Sequence, residues 1–179
     1  CEDKIVGISA YTVRPPEAKK SKPVVSAFLD GSVKKIAALK PDLVIGFSDI
    51  QADLAKRLVA ANLNVMIFNQ RSISEIFGVI DQIGAMVHHH SQAQALICAY
   101  QNALNEIEMS AAKLPHRPNV YFEEWDEPTI SAIEWVSELI TIAGGTDIFA
   151  HKSAGKLAKD RFVDTAAIYA ARANLKPVI

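Results

Sequence analysis

The sequence predicts an α/β protein in which two small parallel-sheet lobes are joined by one long helix. Three observations lead there: a strand-helix-strand pattern between residues 42 and 68, a proline-free helical periodicity over 72–114, and a return to strand and helix patterns after Pro115. Buried parallel strands are short apolar runs, whereas amphipathic helices repeat every three to four residues. We therefore predict an N-terminal lobe at 1–71, a linking helix at 72–114 and a C-terminal lobe at 115–179, both lobes being incomplete.

The N-terminal lobe is predicted to centre on a β-α-β unit. Residues 42–47 and 64–68 are apolar runs, and residues 50–62 between them carry apolar side chains at helical spacing. Strands joined in this way form a right-handed parallel crossover, and the first strand is expected to be buried on both faces. Upstream, residues 4–9 are predicted as a further strand, and the prolines at 15, 16 and 23 indicate an irregular loop after it.

The segment 72–114 shows the longest helical periodicity. Ser72 and Glu75 have the spacing of a capping box, which marks a helix start. The pattern fits either one helix or two helices separated by a break near His88–His90. A helix that spans two lobes explains why it is longer than a small lobe needs.

The C-terminal lobe is predicted to begin with a strand at 119–123. An amphipathic helix follows at 130–143, closed by Gly144-Gly145 as its C-cap. A short helix at 164–172 and a terminal strand at 177–179 would begin another β-α-β unit.

Composition restricts the function classes. Half of the 179 residues are hydrophobic and the net charge is −1, so clustered basic charge for nucleic acid is not expected. No apolar run approaches the ~20 residues that span a bilayer, and no signal-peptide pattern is present. Cys98, among apolar neighbours in a helical stretch, is predicted to be a buried free thiol.

Aromatic side chains recur where the predicted strands end. In open parallel sheets, ligands bind beyond the carboxyl ends of the strands. Aromatic rings with a few polar groups suit a large, flat, amphipathic ligand. These strand-end segments are Ala10–Tyr11, Phe47–Asp49, Phe68–Arg71 and Glu123–Asp126.

The sequence offers no positive evidence for catalysis, a metal site or a cofactor. Glu123 and Glu124 are adjacent in a strand and so face opposite sides, which disfavours an acid/base pair. Successive residues of His88–His90 point about 100° apart on a helix and cannot all reach one ion. Gly144-Gly145 follows a helix, whereas a nucleotide-binding glycine motif precedes one. We predict a non-enzymatic protein.

Several phrases resemble the periplasmic binding proteins for cobalamin and ferric siderophores. They are Ile5–Tyr11, Pro15–Ala18, Ile36–Ile45 with its Leu-Lys-Pro-Asp-Leu-Val-Ile core, and Ala143–Phe149. The resemblance implies two α/β lobes joined by a rigid helix, a ligand held in the cleft, and delivery to an ABC permease in the periplasm or outside the cell. The stretch Tyr121–Pro128 is most similar to cobalamin-binding members.

The resemblance implies that aromatic residues line the cleft: Tyr11, Phe28, Phe47, Phe68 and Trp125. Tyr11 and Trp125 would stack on the ligand, while Arg14 or Arg71 would bind a carboxylate, phosphate or amide edge. A corrinoid is the expected ligand, with an iron-siderophore or haem as the alternative. Two other hypotheses are a metal-ion binder that uses Glu123, Asp126 or a histidine, and an enzyme or interaction module that has lost the transport role.

The chain departs from the family pattern in two ways. The first strand of the family and most of the second lobe's sheet are absent, so we expect a chain shortened at both ends, with a homodimer through the incomplete sheets as one outcome. Family members also dock the permease through one exposed Glu on each lobe, but the matching positions are Lys34 and Ala166. A trimmed chain, a degenerate copy and a binder with another partner all remain compatible with this.

Overall fold

The computed structural model describes residues 2–172, and the chain divides into two compact units. Unit 1 contains the residues up to Gln70 together with Met86–His89. Unit 2 contains Arg71–Ala85 and the described residues from His90 onward. Each unit mixes helices with short strands, so the predicted α/β class is confirmed. The segment predicted as a linker is divided between the two units.

Unit 1 is built from short strands that pair in parallel and from helices between them. Strand β1 (Ile8–Ser9) pairs with β2 (Val24–Ser26), and β3 (Val44–Phe47) pairs with β4 (Val65–Phe68). Two 3-10 turns, Glu2–Lys4 and Asp49–Gln51, precede β1 and the third helix. In chain order the other elements are β1 (Ile8–Ser9), α1 (Ala18–Ser21), β2 (Val24–Ser26), α2 (Val33–Ala38), β3 (Val44–Phe47), α3 (Ala52–Ala60) and β4 (Val65–Phe68).

The predicted β-α-β unit is confirmed as β3-α3-β4. The register runs in parallel from Val44 opposite Val65 to Phe47 opposite Phe68. Beneath these strands, Ile36 of α2 packs with Leu54 and Leu58 of α3. This core packs against Val44 of β3 and Val65 of β4.

The region before β3 differs from the prediction. The strand expected at 4–9 is reduced to β1, and the segment expected to be irregular contains α1 and β2. Pro23 directly precedes β2, and its carbonyl accepts a hydrogen bond from the Ile8 N–H at 3.0 Å. A proline without an N–H can still begin an edge strand because its carbonyl remains an acceptor. The prolines therefore bound short elements here.

Strand β3 was predicted to be buried on both faces, which is wrong. Val44 and Gly46 are half-buried, whereas Ile45 and Phe47 are exposed. Alternate strand residues face opposite sides, and among the described residues the helical core covers the side of Val44. The other side carries Phe47 to the surface.

Two helices, α4 (Ile73–Met86) and α5 (His90–Ala111), replace the single long helix. The capping box is confirmed: the Ser72 N–H donates to Glu75 Oε2 at 3.1 Å, and the Glu75 N–H donates to Ser72 Oγ at 3.2 Å. His88 has a φ of +62°, a left-handed conformation that ends a helix. The break near His88–His90 was one of the two predicted alternatives, and it is the one observed.

Unit 2 combines a parallel pair with an antiparallel hairpin. After α4 and α5 come β5 (Asn119–Val120), β6 (Glu123–Asp126), β7 (Thr129–Ser131), α6 (Glu134–Ile142), β8 (Thr146–Asp147), α7 (Ala150–Ser153), a 3-10 turn (Ala158–Arg161) and α8 (Thr165–Arg172). Strands β5 and β8 pair in parallel, and β6 pairs with β7 in antiparallel register.

The hairpin corrects two predictions for unit 2. The strand expected at 119–123 is divided between β5 and β6, and the helix expected from residue 130 begins at Glu134 because Ile130 pairs with Trp125 in the hairpin. The predicted glycine cap is confirmed, since Gly144 has a φ of +84° directly after α6. The helix at 164–172 is observed as α8, while the strand predicted at 177–179 lies outside the described residues.

Cys98 was predicted to be buried, but it is exposed on α5. The buried positions of this helix are Ala93 and Ile97, so Cys98 is rotated by one residue from the core. None of the helices within residues 2–172 is both long and apolar enough to cross a bilayer.

Leu58 provides a test of the unit 1 core. It is 2% exposed, whereas its neighbour Val59 is 61% exposed. We expect Leu58→Ala to lower the free energy of unfolding by about 3 kcal/mol, because it leaves a cavity between α3 and the strands. Val59→Ala should change it by less than about 0.5 kcal/mol. Urea denaturation followed by circular dichroism measures both, and equal effects would contradict this assignment of the core.

Candidate ligand-binding site

Three aromatic rings lie side by side at the surface of unit 1. Tyr11 follows β1, Phe28 lies in the turn after β2, and Phe47 ends β3. The ring centroids of Tyr11 and Phe28 are 5.7 Å apart, and those of Phe28 and Phe47 are 5.6 Å apart, in edge-on and tilted arrangements. These spacings are typical of attractive aromatic pairs. All three rings are exposed, Tyr11 most of all at 66%, and we call them the aromatic row.

Gln51 holds two members of the aromatic row together. Its Nε2 donates to the Phe28 carbonyl at 2.8 Å, and its Oε1 accepts from the Phe47 N–H at 3.0 Å. One carboxamide thus joins the turn after β2 to the end of β3. This residue was not predicted from the sequence, because its side chain contacts a carbonyl 23 positions away along the chain.

An ion pair holds the turn that carries Phe28. Asp30 pairs with Arg57 of α3, and Asp30 Oδ1 also accepts from the Gly31 N–H at 2.6 Å. The Arg57 guanidinium, followed by the Gly31 N–H, holds the pKa of Asp30 below its ordinary value. Such a contribution to stability is present above the ordinary carboxyl pKa and is lost as the pH falls toward the lowered one.

Phe68, predicted to line the ligand site, is buried at the end of β4. It is 8% exposed, and its carbonyl accepts from the Ser48 N–H at 2.6 Å. The structure therefore does not bring Phe68 into the exposed aromatic row. Position at a strand end is not enough to place a ring at the surface, because Phe47 and Phe68 are register partners on the same side of the sheet and only Phe47 is exposed.

Trp125 is the exposed aromatic residue of the hairpin in unit 2. It is 60% exposed, and its Nε1 donates to the Glu127 carbonyl at 3.1 Å. This bond holds the indole across the hairpin turn. One face of the indole can therefore contact a ligand without losing an existing hydrogen bond.

A buried arginine anchors the hairpin. Arg161, 4% exposed, binds the Glu124 carboxylate through both terminal nitrogens, with Nη2 to Oε1 at 3.2 Å. Its Nη1 also donates to the Ser131 carbonyl at 2.7 Å, and the Ser131 hydroxyl donates to the Arg161 carbonyl at 3.1 Å. Both strands of the hairpin are thus tied to the same 3-10 turn. Planar bidentate pairing of this kind fixes orientation as well as position.

Comparison with known proteins agrees with this architecture. A family model described as periplasmic binding protein matches residues 1–168, which is most of the chain. The chain belongs to this family. The resemblance stated from the sequence is therefore confirmed.

Curated relatives of this periplasmic binding protein include the vitamin B12-binding proteins of Yersinia pestis (strain Pestoides F) and Yersinia pseudotuberculosis (serotype O:1b, strain IP 31758). Each is 29% identical over 151 residues, which covers 83% of this chain and 53% of the relative. The chain thus spans about half the length of the curated relatives it matches.

Solved structures share the fold. An ABC transporter substrate-binding protein from Listeria monocytogenes EGD-e aligns with a TM-score of 0.75 and 20% identity, over 97% of this chain and 67% of that one. The periplasmic vitamin B12 binding protein BtuF of Vibrio cholerae aligns with a TM-score of 0.70 and 22% identity, over 94% of this chain and 65% of that one. IsdE of S. aureus, complexed with heme, aligns with a TM-score of 0.71 and 24% identity, over 82% of this chain and 59% of that one. These likenesses establish the periplasmic binding protein fold.

The two arginines predicted to bind a polar ligand edge differ in their exposure to solvent in this periplasmic binding protein. Arg14 is exposed in the loop after β1. Arg71, in unit 2, is half-buried, and its Nη2 donates to the Lys156 carbonyl at 3.1 Å. That either arginine binds a ligand stays a prediction.

The two adjacent glutamates contact different partners, as their strand positions predicted. Glu123 accepts a hydrogen bond from the Tyr121 hydroxyl at 2.8 Å, whereas Glu124 binds Arg161. Removal from water, followed by this hydrogen bond and the charge of Glu123, raises the pKa of Tyr121 to about 12. Within residues 2–172, no three His, Cys, Asp or Glu side chains are grouped to hold a metal ion.

Replacing Gln51 tests whether its carboxamide supports the aromatic row. We expect Gln51→Met, which has a similar volume, to lower the free energy of unfolding by about 1 kcal/mol, because two hydrogen bonds are lost. Exchange of the Phe47 amide hydrogen should become faster, as that N–H loses its acceptor. Gln92→Met on the exposed side of α5 is the matched control. Unchanged Phe47 exchange, measured by NMR, would show that the carboxamide does not hold the row.

Proposed function

We propose that this chain binds a cobalamin-like corrinoid and that the aromatic row is the main contact surface. The observation that carries the proposal is the set of three exposed rings that lie side by side, two of which are held by Gln51 and the Asp30–Arg57 pair. Exposed rings fixed in advance lose little conformational entropy when a flat ligand covers them. Trp125 is proposed as a further contact residue, on unit 2.

Charge on the hairpin favours a corrinoid over an anionic ligand. Trp125 is surrounded in sequence by Glu123, Asp126 and Glu127, all exposed. Haem carries two propionates, whereas the edge of a corrin ring carries neutral amides. An anionic edge near these carboxylates would be repelled, while an amide could donate hydrogen bonds to them. Relatives named vitamin B12-binding proteins support the same choice.

We further propose that the chain serves as a solute-binding component, without catalysis of its own, that gives its ligand to an ABC importer in the periplasm. The two positions expected to dock the permease are both exposed, Lys34 on α2 and Ala166 on α8. Neither carries a carboxylate, so docking here would use other groups. A homodimer through strand edges stays a prediction.

Substituting exposed aromatics should weaken corrinoid binding. We expect Phe28→Ala and Trp125→Ala each to weaken cyanocobalamin binding by at least about 1 kcal/mol, roughly fivefold in Kd, because stacking contact is lost. Titration calorimetry measures this. Tyr169→Ala on α8 and Trp135→Ala on α6 are the matched controls, since they remove exposed aromatics outside the proposed contacts.

The same titration distinguishes the alternatives. Haem and a ferric siderophore are titrated in parallel with cyanocobalamin. Absence of heat and an unmoved thermal midpoint with cyanocobalamin would reject the corrinoid proposal. If haem or the siderophore binds instead, and Phe28→Ala weakens that binding, the ligand is the alternative one. Stabilisation by a metal ion that a chelator reverses would favour the metal-binding hypothesis.

A further inference from the structure

Unit 2 contains a pocket of about 630 Å³, in the size range of small-molecule sites. It lies among α4, α5, α6 and α7. Ile73, Phe77 and Ile142 supply its apolar lining. Its charged lining consists of two carboxylates, Glu134 and Glu138, and no basic side chain belongs to the lining among the described residues.

The two carboxylates share one face of α6. They are four residues apart, a spacing that places side chains one above the other on a helix. Hydroxyl groups of Ser137 and Thr141 lie in the same lining. The pocket therefore pairs an apolar wall with a wall that carries two negative charges and hydrogen-bonding oxygens.

The start of α4 also borders the pocket, but its backbone N–H groups do not make the pocket an anion site. A helix N-terminus attracts anions through its unbonded N–H groups. Here the Ile73 N–H donates to Glu138 Oε2 at 2.7 Å, and the Ser72 and Arg71 N–H groups donate to Glu75 Oε2 at 3.1 and 2.6 Å. Carboxylates of the protein thus already bind these three N–H groups, which an external anion would otherwise use.

We infer that this pocket binds a small aliphatic ammonium ion. The apolar chain of such a ligand would lie on Ile73, Phe77 and Ile142, and its ammonium group would donate hydrogen bonds to Glu134 and Glu138. An ammonium has three donors and no acceptor, which matches a wall of carboxylate and hydroxyl oxygens. The pocket shares no residue with the aromatic row, so this inference does not rest on the proposed function.

Three ligands of equal length test the inference. The full chain is titrated with n-hexylammonium, 1-hexanol and n-hexanoate up to about 20 mM at constant ionic strength, and binding is followed by NMR shifts of the Ile73 and Phe77 amides. We expect saturable binding, with affinity highest for hexylammonium, lower for hexanol and lowest for hexanoate. The ammonium should bind roughly tenfold more tightly than the alcohol, since charge-assisted hydrogen bonds add to the same apolar contact.

Variants separate the two carboxylates from the apolar wall. Glu134→Gln should weaken hexylammonium binding roughly tenfold and leave hexanol within about twofold. Glu108→Gln, on the exposed side of α5, is the matched control. Glu138→Gln keeps an oxygen for the Ile73 N–H and serves as the second charge variant if Glu134→Gln does not fold. Equal affinities for the three ligands, tighter binding of hexanoate, or no effect of either glutamine variant would overturn the inference.

Discussion

The carboxamide of Gln51 is the contact on which the aromatic row depends. Its oxygen accepts from the backbone at Phe47 and its nitrogen donates to the backbone at Phe28, so both ends of one amide are used. The two joined segments belong to different strand pairs, β1–β2 and β3–β4. Gly46 makes room for this contact, because a Cβ there would lie 2.7 Å from Gln51 Oε1 and 2.6 Å from Ile67 Cδ1.

In unit 2, the guanidinium of Arg161 joins two segments as the carboxamide of Gln51 does in unit 1. Removing a guanidinium from water is costly, and the Glu124 carboxylate and the Ser131 carbonyl offset that cost. The result is a hairpin attached at both strands, from which Trp125 projects. In each unit, a polar side chain with its bonds directed to backbone or carboxylate groups holds an aromatic ring in a fixed place at the surface.

The sequence predicted those features that depend on local patterns. The β3-α3-β4 crossover, the Ser72–Glu75 capping box and the Gly144 cap all arise within a few residues, and all are observed. Tyr11, Phe28, Phe47 and Trp125, which the family resemblance implied as ligand contacts, are exposed, and their contact with a ligand stays a prediction. Phe68 was not separable from them, because the sequence gives the end of a strand but not how far neighbouring segments cover its last side chain.

Contacts between distant residues could not be predicted in this way. Gln51 reaches Phe28 across 23 positions, and Arg161 reaches Glu124 across 37. Neither residue belongs to a recognisable sequence motif. A single glutamine at the start of a helix, or an arginine at the end of a turn, is usually solvated, so the sequence gives no reason to expect these contacts. The charge pattern of the pocket beside α6 was equally hidden, because α4, α5, α6 and α7 all contribute to it.

Amide hydrogen exchange with and without cyanocobalamin tests the central claim most directly, since it reports where a ligand lies as well as whether it binds. If the aromatic row and Trp125 contact the ligand, exchange becomes slower in the segments that carry Tyr11, Phe28 and Phe47, and in β6 around Trp125. Protection confined to α6 and the start of α4, or no change in any of these segments at saturating ligand, would contradict it.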